Sequence, residues 1–124
     1  MDGGSVLVVD DATDVRELLS FTLEEEGYEV LQACNGQEAL EVAKAHEPAV
    51  IVMDVQMPVM DGIEATRQLK SEGALRHIPV IAYTANRAGL PASELFAAIL
   101  PKPCSPDEVI GAVARSRGDK KKGG

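Results

Sequence analysis

Three short, unbroken apolar runs constrain this chain more than any other feature: Val6 to Val9, Ala49 to Met53 and Val80 to Tyr83. A strand with one face in water alternates apolar and polar side chains. A continuous run of β-branched and aliphatic residues therefore belongs to a strand covered on both faces, as in a parallel sheet flanked by helices. The runs are far shorter than the roughly 20 apolar residues that cross a bilayer, so no membrane segment is expected. Each stops at a polar residue: Asp10-Asp11 after the first, Asp54 after the second, Thr84 after the third.

Between the runs the hydrophobic period becomes helical. Val15, Leu18, Leu19 and Leu23 recur at helical spacing, with Thr13 available as an N-cap and Gly27 as a C-terminal stop. Tyr28 to Ala33 has the brevity and composition of a strand. Asn35-Gly36 then turns the chain into a helix from Gln37 to His46, with Ala39, Leu40 and Ala43 on its inner face. Pro48 stops that helix, and the run from Ala49 to Met53 is the most apolar of all, which predicts the central strand. A loop carrying Pro58 and Gly62 leads into a helix from about Ile63 to Lys70, where Gly62 is expected to serve a backbone conformation other residues disfavour.

Beyond the Val80 to Tyr83 strand, Pro91 to Phe96 is expected to form a short helix. Ala98 to Leu100 should add a short fifth strand ending at Pro101-Lys102. Ser105-Pro106-Asp107-Glu108 combines an N-cap, a proline at the first helical position and a glutamate placed to close a capping box. Val109, Ile110 and Val113 of the helix it opens should face the sheet. Five strands alternating with five helices predict one α/β domain, a doubly wound five-stranded parallel sheet with helices on both faces. In such sheets the working crevice lies at the carboxyl ends of the strands, where the strand order reverses.

Charge and cysteine content narrow the function classes. Over residues 1–114 the chain carries 19 acidic against 7 basic side chains, so the body should repel nucleic acid. Arg115, Arg117 and Lys120 to Lys122 form a basic end expected to be a disordered tail or linker stub. The first residues offer neither a basic region nor a long apolar one, so a cytoplasmic location is expected, and Cys34 and Cys104 are expected to be free thiols.

The predicted fold gathers Asp10, Asp11, Asp54, Thr84 and Lys102 at one edge of the sheet. Three carboxylates within a few ångströms repel one another unless something cancels the charge. A hard divalent cation suits them, and carboxylates with carbonyls and waters are the ligand set of Mg²⁺, whereas nothing resembles a zinc or copper site. With such a cation one carboxylate can act as a nucleophile towards a phosphoryl group. Asp54 takes that role because it ends the most central strand and borders the Pro/Gly loop, leaving Asp10 and Asp11 to the metal.

The ordered set VLVVDD (6–11), MDVQMPVMDG (53–62), AYTA (82–85) and PKP (101–103) resembles response-regulator receiver domains, over roughly residues 5–116. The resemblance implies a flavodoxin-like three-layer sandwich with strand order 2-1-3-4-5, a receiver domain over 1–116 and the basic stub over 117–124. It implies that Asp54 accepts a phosphoryl group from a histidine kinase or phosphotransfer protein, in a signalling domain that catalyses only its own phosphorylation and dephosphorylation. Mg²⁺ would be held by Asp10, Asp11, Asp54 and the backbone carbonyl of Gln56. Lys102 would pair with a phosphoryl oxygen and the Thr84 hydroxyl would swing in to another, switching a surface that binds a downstream protein.

Two features depart from the family pattern. Ile99 stands where receivers usually carry an aromatic residue, three positions before the lysine, and Thr84 and Lys102 are about one helical turn closer in sequence than the family leads one to expect. The fourth helix is therefore expected to be shortened or irregular. The principal alternative is a receiver-like docking module that does not switch. A phosphatase would use an Asp-x-Asp pattern and a cap domain, and a flavin carrier would not place Asp10-Asp11 where a phosphate must bind.

Overall fold

A computed structural model describes residues 4–55, 62–84, 95–102 and 105–116. The apolar runs become β1 (Ser5–Val9), β3 (Val50–Asp54) and β4 (Val80–Thr84), the last two buried at every position. The flanking strands β2 (Glu29–Ala33) and β5 (Ala98–Pro101) are more exposed, as edge strands are. All pairings are parallel, in the order β2-β1-β3-β4-β5, so the 49–53 run forms the central strand as expected.

Four helices lie among the described residues: α1 (Thr13–Glu25), α2 (Gly36–His46), α3 (Gly62–Ser71) and α4 (Pro106–Ser116). The helix expected over Pro91 to Phe96 falls largely outside them, as do Gln56, Cys104 and the stub over 117–124. Strand alternation divides the core in two. Leu7, Val9, Ile51, Met53, Val80 and Ala82 pack with Ala39, Leu40 and Ala43 of α2 and Ala65 and Leu69 of α3. Val6, Val8, Val50, Val52, Ile81 and Tyr83 pack with Leu19 and Leu23 of α1 and Val109, Ala112 and Val113 of α4. This is the expected three-layer sandwich. None of the described helices is long and apolar enough to cross a membrane.

The helix ends show how local sequence sets the boundaries. Gly27 takes a φ of 94° and donates its N–H to Glu24, while Tyr28 donates to Leu23, which closes α1 with a left-handed glycine. At the start of α2, Asn35 accepts the N–H of Glu38 at 2.8 Å, and the Glu38 carboxylate accepts that of Cys34 at 2.8 Å. Ser105 and Glu108 make the predicted reciprocal pair ahead of α4, at 2.8 and 3.2 Å. Lys70 donates to the carbonyls of Arg76 and Ile78 at 3.1 and 2.9 Å, stapling the turn that delivers Ile78 and Pro79 to β4.

Two sequence expectations for α1 fail. Thr13 is the first helical residue and not the cap; Ala12 occupies the cap position, and its N–H is taken by the Asp10 side chain at 2.9 Å. Leu18 is 59% exposed, because Val15, Leu19 and Leu23 recur every four residues and form the inward stripe, leaving Leu18 beside Phe21 on the outer face.

Leu23→Ala is therefore expected to lower the unfolding free energy by about 2–5 kcal/mol, against less than about 0.5 kcal/mol for Leu18→Ala, in urea titrations. The N–H of Cys34 holds the Glu38 carboxyl below its usual 4.5, so the cap is fully stabilising above that pH and is lost as pH falls through the lowered folded value. Wild type should thus lose stability more steeply in acid than Glu38→Gln, measured as unfolding midpoints between about pH 6 and about pH 3, a range that brackets the ordinary carboxylate value.

Candidate metal and phosphoryl-acceptor site

Parallel strands run in one direction, so their carboxyl ends meet at one rim. Asp10 follows β1, Asp54 is the last residue of β3, Thr84 the last of β4, and Lys102 follows β5. Asp10, Asp54 and Thr84 are buried, at 1, 3 and 1% exposure, whereas Asp11 is exposed. One carboxylate oxygen from each of Asp10, Asp11 and Asp54 lies within 4.8 Å of the other two. The structure thus brings Asp10, Asp11, Asp54 and Lys102 together; Thr84 closes the neighbouring strand, and Gln56 lies outside the described residues.

Lys102 reaches into this cluster. Its Nζ lies 3.0 Å from Asp54 Oδ2 and 3.3 Å from Asp10 Oδ2, and 4.9 Å from the centroid of the Tyr83 ring. Burial disfavours the ammonium, but the hydrogen bond to Asp54 and the charges of Asp10 and Asp54 outweigh it, and the Lys102 pKa is raised above the ordinary lysine value. The backbone N–H of Lys102 donates to the Thr84 carbonyl at 3.0 Å, so these two residues start from one hydrogen-bonded pair of strand ends.

The remaining charge is unbalanced. Among the described residues, three carboxylates face one ammonium. A like-charge pair 4 Å apart costs about 4 kcal/mol at an effective dielectric of about 20; Lys102 offsets this for Asp10 and Asp54, and a further cation would offset it for Asp11. Asp10 Oδ1 is engaged by the Ala12 N–H, but the buried Oδ2 makes no hydrogen bond, its approach to Lys102 being within ion-pair range only. An unsatisfied buried acceptor costs about 1–3 kcal/mol. Oxygen donors with one left unsatisfied fit a hard divalent ion such as Mg²⁺.

Two supporting residues were not found from sequence. Arg16 donates from Nη1 to the Asp10 carbonyl at 2.8 Å and from Nε to Gln32 at 3.0 Å, tying the acidic turn to β2. A helical side chain leans towards the N-terminus, so a basic residue early in α1 could have been read as overhanging the strand end. Tyr83, read only as a strand residue, provides a wall beside Lys102.

Gly62 is present for a different reason from the expected one. Its φ is not positive; a Cβ there would lie 2.5 Å from the Asp54 carbonyl oxygen and 2.9 Å from the Val55 Cα. The glycine lets α3 begin directly against the end of β3, where its N–H donates to Val55 at 2.8 Å. Gly62→Ala is expected to cost roughly 1–3 kcal/mol in urea titrations and to shift the Asp54 and Val55 amide resonances. Gly111→Ala, whose added methyl meets only the flexible tip of Arg115, should be neutral or stabilising by up to about 1 kcal/mol.

Comparison with known proteins agrees with this geometry. Residues 6–114 match the family model of the response regulator receiver domain. Among curated proteins, the polar-differentiation response regulators DivK of Brucella anthropi and Brucella ovis are 46% and 44% identical over 81 residues, which is 65% of this chain and 66% of theirs. The receiver domain of a signal transduction histidine kinase from Syntrophus aciditrophicus superposes with a TM-score of 0.83 at 32% identity, over 98% of this chain and 95% of that one. The receiver domain of a sensor histidine kinase from Pseudomonas aeruginosa, described with a magnesium ion coordinated in its active site cleft, gives 0.84 at 28% identity, over 94% and 99%. By sequence, strand order and the family model together, this chain belongs to the response regulator receiver domains.

Proposed function

We propose that this receiver takes a phosphoryl group onto Asp54 from the phosphohistidine of a histidine kinase or phosphotransfer protein, in a Mg²⁺-dependent reaction in the cytoplasm, and that the modified rim alters how a downstream protein binds. The observation that carries the reading is the paired state of Lys102. Its ammonium bridges Asp54 and Asp10 while Asp10 Oδ2 still lacks a hydrogen bond, so among the described residues one cation serves three carboxylates beside the proposed nucleophile.

Asp10, Asp11, Asp54 and the backbone carbonyl of Gln56 would hold the cation, which supplies compensation for the negative charge on the phosphoryl oxygens. An Asp54 carboxylate oxygen attacks phosphorus, the new O–P bond forms as the P–N bond breaks, and the imidazole leaves with the electron pair. Lys102, already within 3.0 Å of Asp54, transfers its contact to a phosphoryl oxygen with little movement. Thr84, at the end of the neighbouring strand, donates its hydroxyl to a second oxygen, and the added charge thereby draws on β4.

Ile99 supports a second reading, a docking module without a switch. It sits opposite Ala82 in the β4–β5 register and packs, partly buried, against the α2/α3 side of the core, so this position has no aromatic ring to reorient when Thr84 moves.

Incubation of the full chain with acetyl phosphate and Mg²⁺ is expected to add one phosphoryl mass in intact-protein spectra, and neither Asp54→Asn nor a chelator-treated sample should gain it. Mg²⁺ alone should raise the unfolding midpoint of wild type and do so less for Asp11→Asn. Failure of wild type to gain the mass sinks the phosphoacceptor reading. A gain without any change in amide resonances beyond the rim favours the docking module.

A further inference from the structure

The Lys102 ammonium has a third neighbour that no part of the proposed chemistry uses. The Tyr83 ring centroid is 4.9 Å from Nζ, within cation–π range, and only 7% of Tyr83 is exposed. The ring belongs to the core on the α1/α4 side, packed in one cluster with Ile81, Val109 and Val113. Its backbone is equally committed: the Tyr83 carbonyl accepts the N–H of Val55 at 3.3 Å, and Tyr83 stands opposite Asp54 in the β3–β4 register.

We infer that Tyr83 is a positioning residue for phosphoryl transfer, its ring face holding the Lys102 ammonium over the acidic rim while the lysine exchanges its carboxylate partner for a phosphoryl oxygen. The inference rests on the phosphoacceptor reading. Asp54 is the partner that changes during the reaction, and Asp10 is committed to the cation in that reading. A ring anchored in the core is the contact that stays in place throughout. An aromatic face attracts the ammonium without neutralising it, so the lysine keeps its full charge for the incoming oxygen. Strand alternation sends Tyr83 and Thr84 to opposite faces of β4, so one strand end steadies the cation on one side and offers the hydroxyl on the other. The aromatic group that position 99 lacks is thus present near the site, carried by β4 instead.

The test uses the full chain and acetyl phosphate, a donor with no protein docking requirement, and follows phosphoryl mass against time in wild type, Tyr83→Phe and Tyr83→Leu. A cation–π contact predicts a rate roughly threefold to thirtyfold lower for Tyr83→Leu and recovery to within about twofold for Tyr83→Phe, which keeps the ring and loses only the hydroxyl. Equal rates in Tyr83→Phe and Tyr83→Leu, slow or fast, overturn the inference. Urea titrations of Tyr83→Leu, Lys102→Met and the double variant supply a second arm independent of phosphorylation. Non-additive unfolding free energies support the ring–ammonium contact and additive ones overturn it. A wild type that takes no phosphoryl group defeats the phosphoacceptor reading instead, and the titration arm then decides the contact alone.

Discussion

A strand buried on both faces can place a polar side chain without penalty only near its ends, and that constraint organises this molecule. All five residues of β3 are buried, and its last, Asp54, meets the rim where the sheet stops. Because every neighbour is parallel, β1 and β4 deliver Asp10 and Thr84 to the same edge. The reversal of strand order between β1 and β3 leaves the crevice open at that edge and leads the chain from them to opposite layers.

The rim that results is tied together through its backbone and, among the described residues, carries three carboxylates and one ammonium. Gly62 lets α3 close on the Asp54 carbonyl, Arg16 fastens the Asp10 carbonyl, and Lys102 is hydrogen-bonded through its backbone to Thr84. These contacts fix where the carboxylates sit, with the Lys102 ammonium shared between Asp10 and Asp54.

Much of this was legible in the residues. The continuous apolar runs identified the buried strands, the capping box at Ser105 to Glu108 marked a helix start, and polar residues closing successive strands named Asp10, Asp11, Asp54, Thr84 and Lys102 as site candidates. What misled was position within an element. Helical periodicity admits Leu18 to the apolar set, but only the direction in which α1 lies on the sheet shows that the inward stripe runs through Val15, Leu19 and Leu23. Thr13 looked like a cap because the Asp10 side chain, which takes the Ala12 N–H instead, belongs to the preceding strand end.

Among the described residues, local sequence determined which segments are strands and helices, where most of them stop, and which side chains are charged at the stops, because propensity, capping and hydrophobic period are properties of neighbours in the chain. Tertiary structure decided the rest: that Arg16 reaches the Asp10 carbonyl, that the Tyr83 ring meets Lys102, and that Gly62 is needed for proximity and not for its φ. Those contacts join residues from different elements, and their distances are set by how layers pack across the sheet, which no spacing along the chain encodes.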